Sequence, residues 1–184
     1  MRPHISVCIP VYQGAPTLAA TLRSVLASEN ADFEVVIRDN GSTDGTSGVV
    51  AGFDDPRIRY IRSEGTLPLP ANWRATVGQA RGELIKVVCA DDLISPDCLA
   101  SQAALLEDPT VALVACRRNF IDGNGDVLNR NAGLPGLLGR HGVSEVARTA
   151  VRFGINPVGE PACVMFRRRD YDAIGGFDGA IVFA

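Results

Sequence analysis

The chain has 184 residues, 46% of them hydrophobic and 21% charged, with a formal net charge of −3. That length suits one domain with a buried core, and the composition excludes disordered, collagen-like and disulfide-dense classes. The acidic balance excludes a general electrostatic grip on nucleic acid, and no apolar run reaches the ~18 residues that a membrane helix needs.

The start, Met1-Arg2-Pro3-His4-Ile5, leads straight into a strand and lacks the apolar stretch of a signal peptide. Ile5–Val11 is an apolar β run. Thr17–Ala27 carries Leu18, Leu22, Val25 and Leu26 at helical spacing. Phe33–Ile37 reads as a second strand, and Arg38 to Thr46 as a turn with a helix following to about Phe53. Ser42 or Thr43 is expected to cap that helix. A third strand is expected over Arg57–Ile61, a helix over Pro70–Ala80, and a fully buried strand over Glu83–Cys89. Ser95-Pro96-Asp97 reads as a helix start with serine as the cap. Leu99, Ala103 and Leu106 then share a side, and Val111–Cys116 is another buried strand.

Near-continuous apolar strands alternating with helices predict an α/β sheet with helices on both faces. Such sheets bind ligands beyond the carboxyl ends of their strands, at a topological switch point. Beyond Arg117 the pattern changes. Phe120 to Leu128 predicts a hairpin around Asn124-Gly125. Asn131–Gly142 reads as a mobile surface loop, Val143–Phe153 as a helix, Ala162–Phe166 as a strand, and Arg169–Ile174 as a short helix stopped by Gly175-Gly176. The apolar end, Ile181-Val182-Phe183-Ala184, reads as an interrupted segment.

The five cysteines are odd in number and form no CxxC pair, so they read as reduced, packed thiols of a cytoplasmic protein. His4 and His141 are too far apart in sequence to suggest a zinc site.

Three segments could carry chemistry. Asp91-Asp92 ends a buried strand, and adjacent carboxylates there can hold a hard divalent cation or simply form a solvated turn. Asp39 ends another strand, where it can accept a hydrogen bond from a ligand N–H or organise the turn through Gly41 and Ser42. Tyr12 follows Pro10-Val11 and can stack on a flat ring or close the core edge.

In this order, the chain resembles the family 2 glycosyltransferases. The residues carrying the resemblance are Ile5 to Tyr12, Glu34 to Thr46, Ala71-Asn72-Trp73-Arg74, Ala80 to Lys86, Ala90-Asp91-Asp92 with Pro96 and Leu99, and Gly175-Gly176-Phe177-Asp178. The resemblance implies a three-layer α/β/α, Rossmann-like GT-A fold with a mostly parallel central sheet. One domain would span 1–184, with a nucleotide-sugar-binding half over 1–117 and a partial acceptor-side half over 118–184. It implies sugar transfer from a nucleotide-diphosphate sugar, by family habit a UDP-sugar, to a hydroxyl of a saccharide or lipid-linked acceptor, with inversion. Pro10, Tyr12 and Asp39 would line the nucleoside pocket, Arg74 and Lys86 could meet phosphate, and Asp91, assisted by Asp92, would hold Mn2+ or Mg2+ on the diphosphate.

Two departures stand out. Cys89 occupies the first acid position of the metal motif, and a thiol is a poor ligand for a hard cation. The acidic pair that supplies the base in inverting relatives has no match up to Ala184, which leaves Glu160 as a weak candidate and suggests a C-terminally truncated chain. The alternatives are a non-catalytic nucleotide-sugar-binding module or a sugar-nucleotide pyrophosphorylase. The segment Tyr12-Gln13-Gly14-Ala15-Pro16 lacks the basic residue of the latter. No transmembrane segment is expected; peripheral contact with the inner face of a membrane is left open.

Overall fold

A computed structural model describes residues 3–178. The expected end segment Ile181–Ala184 lies outside these described residues.

Six strands form one sheet. They are β1 (Ile5–Val11), β2 (Phe33–Asp39), β3 (Ile58–Arg62), β4 (Leu84–Val87), β5 (Leu113–Ala115) and a late strand, β8 (Val164–Arg167), in the order β3-β2-β1-β4-β8-β5. β1 pairs in parallel with β2 and β4, and β2 with β3. β8 is antiparallel to both β4 and β5. The sheet is therefore mostly parallel, as expected, with one correction. Val111–Cys116, expected as a buried strand, is a strand only over Leu113–Ala115, with Leu113 42% exposed, because it lies at the sheet edge, separated from β4 by β8.

β1 is buried along all seven residues because both faces are covered. Ile5, Val7, Ile9 and Val11 pack with Leu18, Leu22 and Val25 of α1 (Leu18–Leu26), Val50 of α2 (Thr46–Ala51) and Leu99 of α4 (Cys98–Leu105). Cys8 faces the other way, with Val77 of α3 (Leu69–Gly78) and Phe166 of β8, while Tyr171 of α6 (Arg168–Ala173) flanks that cluster. The result is three layers, α/β/α. Two of the expected caps are not formed. α4 starts at Cys98, and the Ser95 hydroxyl bonds the Asp97 carboxylate at 2.6 Å instead of capping it. α2 starts at Thr46 behind Gly45, leaving Ser42 and Thr43 to the preceding loop.

Gly82 enters β4 against the backbone of β1. A Cβ there would stand 2.7 Å from Ile5 C and Ser6 N, both main-chain atoms that cannot step aside. Gly82→Ala is expected to cost about 1–3 kcal/mol through overpacking. Urea unfolding would show this as a lower midpoint at unchanged slope; an unchanged midpoint would mean that β1 shifts freely.

The second half adds a hairpin, β6 (Arg118–Ile121) and β7 (Val127–Ala132). Its turn matches the expected one: the Asp122 carboxylate accepts the N–H groups of Asn124 and Asp126, and Gly125 has φ +89°. β7 reaches Ala132, into the start of the expected loop. α5 (Val143–Phe153) matches its expected bounds and buries none of its residues. It ends at Gly154 in the left-handed conformation.

Candidate functional site

The strand order reverses at β1, with β2 on one side and β4 on the other, so a crevice opens beyond the carboxyl ends of β1 and β4. Pro10 helps to open it. Cys8 C=O accepts from Val88 N–H, so by strand alternation the nitrogen of Pro10 faces the same side, beyond the last β4 pairing at Val87. Its missing N–H therefore costs no ladder bond. Tyr12 follows, 55% exposed on the rim.

The rim loops are joined by side chains. Gln13 N–H donates to the Ser42 hydroxyl at 2.9 Å, and the Gln13 amide both donates to the Thr43 hydroxyl and accepts from Thr43 N–H. Gly14 N–H reaches the Thr46 hydroxyl at 3.0 Å, and Ala15 N–H reaches the Asp44 carboxylate at 2.9 Å. Gly41 provides the required left-handed turn at φ +79°. Gln13 and Asp44 are organising residues that sequence reasoning missed. The Asp44-x-Thr46 spacing, in which the carboxylate accepts Thr46 N–H two residues on, is the signal that could have found the second.

Asp39 lies beneath this loop with no exposed side-chain surface. It accepts Ser42 N–H at 2.7 Å and the Tyr60 hydroxyl at 2.5 Å, with Arg62 at 3.9 Å. Burial alone would raise its pKa; the hydrogen bonds from Ser42 and Tyr60, aided by Arg62, overcome this and hold the carboxyl below its ordinary value. One carboxylate oxygen of Asp39 thus serves the turn and the other serves β3.

Cys89, Asp91 and Asp92 meet at the end of β4, with one ligand atom from each lying within 4.8 Å of the others. Burial, then the charges of Asp92 and Asp91, pushes the Cys89 thiol up to about 12. Burial and the Asp91 charge likewise raise Asp92. The pair is thus short of positive charge. Two carboxylates fit a hard divalent cation, and the protonated thiol does not. Glu160, ion-paired with Arg118, sits close enough for its charge to raise both Asp92 and Cys89.

Two expected phosphate contacts are not brought to these acids. Lys86 is fully buried on the α4 face, its ammonium donating to Gln102 Oε1 at 2.7 Å. The alternation of an apolar strand turned it inward. Arg74 is exposed but lines a separate cavity of about 290 Å3 with Tyr171, Gly175 and Gly176. The larger cavity, about 590 Å3, opens at the other end of the strands, beside His4, Glu83 and Arg167.

A three-layer, mostly parallel sheet with helices on both faces defines an α/β protein of the GT-A fold, with a carboxylate pair at its switch point. The chain belongs to the family described as Glycosyl transferase family 2, which it matches over residues 6–175. It is 34% identical over 184 residues to the uncharacterized protein MT1568 of Mycobacterium tuberculosis, covering 96% of this chain and 57% of that protein. Among solved structures it is similar to the mannosyltransferase PcManGT of Pyrobaculum calidifontis in complex with GDP-Man and Mn2+, with TM-score 0.69, 22% identity, and coverage of 97% of this chain and 48% of that one. It is also similar to S. aureus TarS 1-349 in complex with UDP-GlcNAc, with TM-score 0.72, 18% identity, and coverage of 94% and 47%. The chain thus spans about half the length of each of these three proteins. No helix among the described residues is long and apolar enough to cross a membrane.

Proposed function

We propose that this chain is the donor-binding part of a glycosyltransferase that moves a sugar from a nucleotide-diphosphate sugar to an acceptor hydroxyl. The observation that carries this reading is the Asp91-Asp92 pair at the switch point, with Asp92 raised by burial and by its neighbour. These two carboxylates would hold Mn2+ or Mg2+, which, when bound, supplies the positive charge that stabilises a departing diphosphate. Tyr12 would stack on the nucleobase and Pro10 would floor the pocket. Asp39 would act indirectly, by holding the Gly41–Asp44 turn in shape.

Residues 1–117 form the donor half in this reading, and 118–184 part of the acceptor half. A UDP-sugar and inversion are the finer expectations, the first supported by the UDP-GlcNAc of one structural neighbour. Glu160 is the acceptor-side carboxylate whose charge reaches the acidic pair, which supports it as a candidate base. Its ion pair with Arg118 favours the second reading, a nucleotide-sugar-binding module without transfer activity. The free thiols support a cytoplasmic placement.

The test is a thermal-shift panel of UDP, TDP, GDP and CDP, each with Mn2+, Mg2+ or EDTA. A ligand at ~100 times its dissociation constant adds about 2.7 kcal/mol. Stabilisation by one nucleotide, lost in EDTA, is expected. No shift with any nucleotide, in a protein that still melts cooperatively, rejects the donor site.

A further inference from the structure

We infer that Cys116 and Cys163 form a reversible redox pair, which a hydroperoxide joins into a cross-strand disulfide. The inference is independent of the donor-site reading.

The pairing begins in the backbone. Ala115 of β5 lies opposite Val164 of β8 in an antiparallel ladder. One step outward, Cys116 N–H donates to Cys163 C=O at 3.0 Å. Cys163 ends a 3-10 turn, Pro161–Cys163, and its own N–H bonds Glu160 C=O at 2.8 Å, so the two cysteines share a single backbone bond just beyond the end of the ladder. A full antiparallel pair stands ~5.5 Å apart at Cα, inside the ~4.4–6.8 Å that a disulfide spans.

The side chains continue the pairing. Thiol contacts link Cys98 to Cys116 and Cys116 to Cys163. The Cys163 thiol also donates to the Glu160 carboxylate at 3.8 Å, and the Cys98 thiol to Gln102 Oε1 at 3.7 Å. The Cys163 thiol is held below the ordinary value chiefly by the contact with Cys116; Arg118 and Lys86 act in the same direction, against burial and Glu160. By contrast, burial in an apolar cluster pushes the Cys8 thiol up to about 12.

Gln102 ties the group together. Its amide nitrogen donates to Cys163 C=O at 2.8 Å, while its oxygen accepts from Lys86 Nζ at 2.7 Å. No carboxylate pairs with Lys86 among the described residues, so its ammonium favours an adjacent thiolate. The same charge argues against a metal here. The three sulfurs also do not converge as a ligand set; among the described residues only Cys89, Asp91 and Asp92 do.

The chemistry balances. The Cys163 thiolate attacks the peroxide, the O–O bond breaks, and an alcohol or water leaves after taking a proton. The sulfur, oxidised by two electrons, becomes a sulfenic acid. The Cys116 sulfur then displaces water from it, losing its proton, and the S–S bond forms. A dithiol reverses the reaction. Cys163 is only 4% exposed and Cys116 is half-buried, which restricts entry to small hydroperoxides. The bridge would pin the turn that carries Glu160, three residues before Cys163.

The experiment is titration of the reductant-free chain with hydrogen peroxide at neutral pH, read by intact mass and by peptide mapping after alkylation. The expected product has lost two hydrogens, yields a peptide joining Cys116 to Cys163, and reverts with dithiothreitol. Cys98→Ser should leave it unchanged. Cys116→Ser should leave a sulfenic acid on Cys163 that dimedone traps. Failure of the folded chain to lose two hydrogens, while the urea-unfolded chain does, overturns the inference. A bridge through Cys89 or Cys98, or between two chains, overturns it equally.

Discussion

Asp91→Ala is expected to abolish the Mn2+-dependent nucleotide shift while leaving the cation-free melting temperature nearly unchanged. Asp91 is exposed, so its removal leaves no core cavity. A site with two carboxylate ligands that loses one should lose about 100-fold or more in cation affinity, equivalent to about 2.7 kcal/mol. Asp92→Asn makes the reciprocal point. The raised pKa of Asp92 means that its charge is disfavoured in the folded chain by burial and by Asp91. Neutralising it should therefore raise the cation-free melting temperature at pH 7 and weaken Mn2+ binding. Groups retained against stability in this way are typical of functional sites. The same shift gives a pH dependence. Protons compete with the cation at Asp92, so Mn2+ affinity should climb as pH rises through its raised pKa. Calorimetric titration of Mn2+ into the variants reads all three effects. Full Mn2+ binding by Asp91→Ala would move the cation elsewhere and sink the assignment.

Asp39→Ala should be the more damaging change to the fold, at about 3 kcal/mol. For a chain of this size that is roughly 6–12 °C in melting temperature. The substitution leaves the Tyr60 hydroxyl and Ser42 N–H without their acceptor and frees the loop that carries Ser42, which in turn accepts from Gln13. The sign with pH follows from the depressed pKa. A carboxyl held below its unfolded value, ~3.9, contributes its stability above that pH and loses it as pH falls through the folded value. The gap between the parent chain and Asp39→Asn should therefore be wide at pH 7 and should narrow below about pH 4. Urea unfolding at both pH values measures it. An equal gap at pH 7 and pH 3 would mean that the charge of Asp39 contributes nothing to the folded state.

Much of the fold was legible because it is written locally. The run Ile5–Val11 could only be a strand covered on both faces, and the apolar residues at helical spacing marked α1. Asn124-Gly125 marked the hairpin turn, and Val143–Phe153 was read as the helix that α5 forms. Periodicity and turn chemistry act within a few residues, so they can be read without knowing what packs on what. The acidic pair was legible as well, since it sits in the chain directly after an apolar strand.

Long-range pairing was not legible. β8, only four residues long, enters between β4 and β5 and runs antiparallel to both. Nothing near Val164 announces this, because a short strand takes its neighbours from the space left open in the sheet. The consequences reached the site. Lys86 was expected near phosphate, yet the alternation of β4 turned it under α4, to a glutamine sixteen residues away. Asp39 was read as open to a ligand or given over to the turn, and only the tertiary structure brought the Tyr60 hydroxyl of β3 to it. Cys98, Cys116 and Cys163 looked like separate packing residues until α4, β5 and β8 brought their thiols into one chain of contacts. The sequence by itself determined the elements, their order and the acids at the end of β4, because these depend on neighbours in the chain. The tertiary structure alone decided which polar groups reach the rim and which are spent inside, because that depends on neighbours in space.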